Sequence, residues 1–224
     1  MTPARPAVAA LALWAVTGHA GAAGSVLLPG APPAQVVATI GNGTPKVSAK
    51  VDATTGVFRP DPALVALGKR AFFDPRLSMP RGQSCASCHD PARAFSPTLP
   101  DGGKRDPGVP QGSRPGHFSL RNPPSLLYVR YVPRRHFYQD DDAPAASPFG
   151  GLFADGRADT LAEQVRGPLL DPNEMNNGSP ARLLRNVNDT DLAPAMAAQF
   201  GPAVRKDPQA MLRALGAALQ AYMQ

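Results

Sequence analysis

Cys85-Ala86-Ser87-Cys88-His89 sets two cysteines three residues apart with a histidine directly after the second. On a helical turn, positions three apart share a face, so both thiolates can reach the two vinyl groups of a haem while the next imidazole points at the iron. The spacing is that of covalent c-type haem attachment, with Cys85, Cys88 and His89 binding the cofactor and His89 as the proximal iron ligand. Two other uses of Cys-x-x-Cys, a thioredoxin-like redox pair and a plain disulfide, need no adjacent histidine, and no βαβ pattern surrounds the motif. The chain has just 2 cysteines, too few for a four-cysteine zinc site or a disulfide framework.

On either side of this motif the sequence reads as helices joined by long loops. Asp61-Pro62 pairs a capping residue with the proline favoured at the first helical position, which predicts a helix to about Phe73 with Leu64, Leu67 and Ala71 inward. The same device recurs at Ser179-Pro180 and Asp207-Pro208, each opening an amphipathic run. Thr160 and Glu163 form a Ser/Thr-x-x-Glu capping pattern, and a further helix is expected from Asp191 to Phe200, stopped by Gly201. Residues 91 to 153 carry Gly and Pro throughout and read as loop. The fold class is therefore mostly α, a cytochrome c-like helical haem domain with long Pro/Gly-rich loops, spanning 61–224.

Ahead of it, residues 1–23 run from Arg5 through an apolar stretch to Ala20-Gly21-Ala22, the layout of a secretory signal peptide cleaved near Ala22 or Ala23. About ten apolar residues are too few for a membrane span, which needs roughly twenty. Residues 24–60 read as an extended N-terminal segment. The expectation is a periplasmic protein with no membrane span. With 27 prolines and 21 glycines among 224 residues, a coiled coil or helical array is excluded. The formal charge of +6 is scattered in clusters of two or three; this suits an acidic protein partner better than nucleic acid, which is not expected to bind.

One haem with one histidine leaves the sixth iron position to be decided, and that choice separates an electron carrier from an enzyme. His117 and His136 can fill it, as can Met79, Met175 and Met196, although methionine is more often a core filler.

Several further motifs resemble the bacterial di-haem cytochrome c peroxidases and their MauG-like relatives. Leu67-Gly68-Lys69 and Phe72-Phe73-Asp74-Pro75-Arg76-Leu77-Ser78 precede the haem segment Ser84 to Pro91. Arg121-Asn122, Pro124-Ser125-Leu126, Asp155-Gly156-Arg157-Ala158, Leu161-Ala162-Glu163-Gln164 and Pro172-Asn173-Glu174-Met175 follow in order. The resemblance implies the haem domain that reduces hydrogen peroxide to water, with electrons from a small cytochrome or copper protein. It implies His117 as a displaceable distal ligand, Gln164 and Glu174 as the residues that act on peroxide, and Asn122 as a ligand to calcium. A calcium ion takes several oxygens, and Asn122 ahead of Pro123-Pro124 is equally a turn residue.

Chemistry supports the two side chains. Splitting the peroxide O–O bond requires a proton to move from one oxygen to the other, work suited to a carboxylate in a dry pocket. Glu174 fits that part; Gln164 can orient peroxide by hydrogen bonding. The plainer alternatives are a solvated helix-end charge for Glu174 and an exposed helix position for Gln164.

Two departures from the family bear on function. Ala154 stands where the family carries a tryptophan between its haems, and no second Cys-x-x-Cys-His follows His89. One covalent haem is therefore expected, with the family's second haem domain absent from this chain or supplied as a partner. The alternative function is a monohaem electron-transfer cytochrome without peroxidase turnover; a MauG-like oxidase acting on a protein substrate is a third. An exposed remainder on the apolar face of the last helix would suit a missing second half.

Overall fold

In the computed structural model, placement is described for residues 49–51, 58–98, 109–139, 142 and 145–224. The expected signal peptide at 1–23 and most of the 24–60 segment lie outside the described residues. The chain divides into Met1–Pro32 and Pro33–Gln224, and every described residue belongs to the second unit.

Helices dominate, as the sequence predicts. Strands β1 (Ala49–Val51) and β2 (Phe58–Pro60) pair antiparallel with Lys50 opposite Arg59. Helix α1 (Pro62–Phe73) starts where Asp61 accepts a hydrogen bond from the Ala63 N–H at 2.9 Å. Helix α2 (Cys85–Cys88) is a single turn. The long loop region after it holds a hairpin that the sequence did not announce, β3 (His136–Tyr138) against β4 (Ser147–Phe149), both strands exposed. Then follow α3 (Leu161–Gln164), α4 (Arg166–Leu170), α5 (Pro180–Asn188), α6 (Leu192–Phe200) and α7 (Pro208–Met223). Ser179 and Asp207 cap α5 and α7 through their side chains, and Gly201, at φ 87°, ends α6.

The core forms where α7 crosses α1. Leu64, Leu67, Ala71 and Phe72 of α1 are buried, as are Met211, Leu212, Leu215, Ala218 and Leu219 of α7. The expected apolar face of α7 is thus consumed inside its own domain. No α7 residue is among the exposed large hydrophobics, and near the end of the helix the rings of Phe72 and Tyr222 meet at 5.1 Å.

Two glycines permit this closeness. A Cβ on Gly68 would stand 1.9 Å from the Ala218 carbonyl oxygen, and one on Gly216 would stand 2.5 Å from that of Ala162. Gly68→Ala should therefore destabilise the domain by about 1–3 kcal/mol although alanine is the better helix former. A lowered denaturant midpoint at unchanged slope would bear this out; an unchanged or raised midpoint would refute it.

Polar side chains then fasten the segment that carries Glu174. Asn177, fully buried, donates to the carbonyls of Leu77 and Leu169 at 2.8 and 2.7 Å, and accepts from Asn186 at 2.7 Å. The Met79 N–H donates to the Met175 carbonyl at 2.9 Å, and Asn176 donates back to the Met79 carbonyl. The turn leading into the haem motif and the Glu174 segment are thereby one framework.

Candidate active site

The Cys-x-x-Cys-His turn is built by local hydrogen bonds. Ser87 Oγ accepts from the Ser84 N–H at 3.0 Å, and the His89 N–H closes the turn on the Cys85 carbonyl at 2.9 Å. The two cysteines are not joined to each other in a disulfide. Both residues are half-buried. Desolvation pushes the Cys85 thiol up to about 12 and the Cys88 thiol to about 11, the latter also through the negative charge of Glu174.

His89 has the orientation an axial ligand needs. Its Nδ1 lies 3.1 Å from the Phe95 carbonyl, an acceptor that draws a ring proton to Nδ1, and the Pro124 carbonyl is a second acceptor beside the ring. Burial lowers the pKa of the ring and favours the neutral form that binds metal. Phe95 is held in turn by its left-handed backbone, φ 58°, and by its ring against Phe72 at 6.0 Å.

Gln83 supplies a further indication. Its Nε2 donates to the Gln111 carbonyl at 2.8 Å and lies 3.7 Å from Cys88 Sγ, while its Oε1 is buried without a partner. An orphaned oxygen beside Cys88, two unpaired cysteines on one helical turn and an adjacent half-buried histidine together fit a haem c group.

On the other side stands Glu174. Burial raises its pKa, and the nearby charge of Asp171 adds to the effect; a hydrogen bond from Ser119 Oγ to Oε1 at 3.3 Å and the Arg157 guanidinium pull it back. His117 lies on the strip that carries Ser119. That strip is fastened to the Glu174 segment: the Ser113 N–H donates to the Glu174 carbonyl at 2.8 Å, and Arg114 donates to the Pro172 carbonyl through Nε and NH2 at 3.1 and 2.9 Å. Gly112 makes the approach possible, since a Cβ there would stand 2.1 Å from the Asn173 carbonyl oxygen. Cys88, His117 and Glu174 are therefore gathered in one region.

The other expected residues are less closely joined to it. Gln164 is half-buried at the end of α3, its N–H bonded to the Thr160 carbonyl at 2.9 Å. Glu163 reaches one residue beyond the expected cap, accepting from the Asp159 N–H at 3.0 Å. Asn122 is exposed, and among the described residues no group of three or more His, Cys, Asp and Glu could hold a metal ion. His136 is spent on the hairpin, with Nδ1 3.0 Å from the Arg134 carbonyl and its ring against Phe149. Met175 and Met196 are core residues. Arg114, Ser119 and Gln83 were not singled out in the sequence, because their contacts are made with segments distant along the chain.

Comparison with known proteins identifies the family. The family model described as di-haem cytochrome c peroxidase matches residues 62–224. The chain belongs to that family. It is 40% identical over 163 residues to the methylamine utilization protein MauG of Paracoccus denitrificans, covering 72% of this chain and 40% of that protein. It is 30% identical over 111 residues to the cytochrome c551 peroxidase of Pseudomonas aeruginosa, covering 50% of this chain and 25% of that one. Among solved structures, the diheme peroxidase BthA from Burkholderia thailandensis E264 superimposes with a TM-score of 0.70 at 63% identity, covering 89% of this chain and 47% of BthA. The chain thus spans less than half the length of these di-haem family relatives. A c-type haem follows from membership of the family. Among the described residues, no helix is long and apolar enough to cross a membrane.

Proposed function

We propose that this chain is the peroxide-reducing haem domain of a periplasmic di-haem-type peroxidase, which takes electrons from a small redox protein to turn hydrogen peroxide into water. The observation that carries the reading is Glu174: a half-buried carboxyl with a raised pKa, close enough for its charge to act on the Cys88 thiol. One haem c held by Cys85, Cys88 and His89 would supply the redox-active iron to which peroxide is drawn. The carboxylate of Glu174 accepts a proton from one peroxide oxygen and returns it to the other, so that the bond breaks with water as leaving group. Ser119 Oγ, hydrogen-bonded to Oε1, fixes the direction in which that carboxylate faces. Gln164 orients the peroxide by hydrogen bonding, and His117 would be the displaceable ligand to that iron. The second oxygen leaves as water after two electrons and the remaining protons arrive, the electrons coming from the donor protein.

A second haem domain is the natural partner. Leu120, Tyr128, Tyr131, Phe137 and Phe149 are 57–83% exposed, an apolar surface of the kind that meets another protein. Calcium at Asn122 is part of this proposal, with further oxygens coming from that partner. The second reading, a monohaem electron carrier, is favoured by Ala154, exposed where the family has tryptophan.

Peroxide turnover by the purified haem-loaded chain, with a reduced small cytochrome as donor and haem counted on the same sample, separates the two. Sustained turnover at one haem per chain is the expected result. Haem binding with no reaction toward peroxide would favour the carrier.

A further inference from the structure

His117 Nδ1 has two neighbours that ask opposite things of it. Arg114 NH2 is 3.0 Å away and Asn173 Oδ1 is 3.3 Å away. A guanidinium can only donate, so its bond to Nδ1 requires a lone pair there and fixes the ring proton on Nε2. An amide oxygen can only accept, so its bond to Nδ1 requires the proton on Nδ1 and leaves Nε2 free. The imidazole satisfies one at a time, and a ring nitrogen that carries a proton cannot bind iron.

The guanidinium is well placed to prevail. It is anchored by its bonds to the Pro172 carbonyl, so little side-chain freedom remains to be lost in holding the imidazole. The Asn173 backbone is likewise fixed, its N–H donating to Asp171 Oδ1 at 2.7 Å. His117 therefore sits between two rigid partners, one for each tautomer.

We propose that Arg114 is a positioning residue that holds His117 with its proton on Nε2 and so keeps it off the haem iron, and that Asn173 is the partner that supports His117 when it binds. This rests on the reading of His117 as the sixth ligand. The site is then open at rest, and the population of the closed form is set by the difference between two hydrogen bonds.

The ferric haem-loaded chain tests this by electron paramagnetic resonance and by azide affinity, neither of which depends on turnover. Arg114→Met should convert a mainly high-spin spectrum to a low-spin one and weaken azide binding at least tenfold. Arg114→Lys, which restores a donor, should recover part of the change; Asn173→Ala should leave the spectrum high-spin. Adding His117→Ala to Arg114→Met should return it to high-spin. A low-spin signal that survives this double substitution would refute both the proposal and the ligand reading. If the unaltered chain is already low-spin and His117→Ala alone abolishes that signal, the ligand reading stands and the role of Arg114 is overturned. Silence from both Arg114→Met and His117→Ala would overturn both.

Discussion

Glu174→Gln is expected to slow peroxide cleavage about 10²- to 10⁴-fold, the range spanned by a positioned acid–base group, while haem content and the resting spectrum stay as they were. Glutamine keeps the shape and an oxygen that can accept from Ser119, so the framework that tethers the segment to Met79 and Leu77 is not asked to move. What is lost is the capacity to take a proton and give it back. Stopped-flow measurement of the reaction with peroxide checks this directly, and unaltered cleavage would remove Glu174 from the mechanism.

The same substitution has a second, opposite consequence for stability. Desolvation raises the pKa of Glu174 above its ordinary value of 4.5. A carboxyl raised in the folded state favours folding at pH below the unfolded value, and that contribution is lost as pH rises through the folded value. At neutral pH the ionised group is therefore a burden. Glu174→Gln should melt no lower than the parent chain at pH 7, with the difference closing below about pH 4.5. On the proposed reading of Glu174 as an acid–base group, stability is given up for chemistry rather than gained by packing.

Replacing both Cys85 and Cys88 by serine should remove covalent haem altogether. The unaltered chain should keep its haem through acid–acetone extraction of the denatured protein, and the double variant should release all of it. Each single variant should retain haem through one thioether, with a shifted absorption band. Haem retained covalently by the double variant would end the assignment. His89 can still bind iron in that variant, because its Nδ1 bond to the Phe95 carbonyl does not involve the sulfurs.

What the sequence disclosed follows the range over which each interaction acts. The starts of α1, α5 and α7 were readable because Asp61, Ser179 and Asp207 bond to N–H groups two or three residues ahead. The Cys-x-x-Cys-His turn was readable for the same reason: its geometry is local. Arg114 on Pro172 and Ser119 on Glu174 join positions 58 and 55 residues apart, and nothing local announces either bond. Glu163 shows the limit even at close range, since the Asp159 N–H competes with the expected partner one residue later. Whether α7 kept an exposed apolar strip depended on Gly68 and Gly216, whose missing side chains let two neighbours close over it. Of the site itself, residue types were legible and their assembly was not.

The crossing of α1 and α7 also has a meaning in time. Helix α1 precedes α7 by more than 130 residues of chain, and Gly68 can be seated against Ala218 only after α7 has been made. Asn177 likewise cannot reach Leu77 until 100 residues of intervening chain exist. Contacts of such separation form late and at the cost of closing a long loop. Until α7 is made, then, the Cys85–His89 turn belongs to an unclosed chain. Its thiols are more easily ionised there than in the cofactor-free fold, where burial raises both. On the proposed reading of these thiols as the haem-attachment site, a clasp fastened late leaves an interval in which the cofactor can be installed.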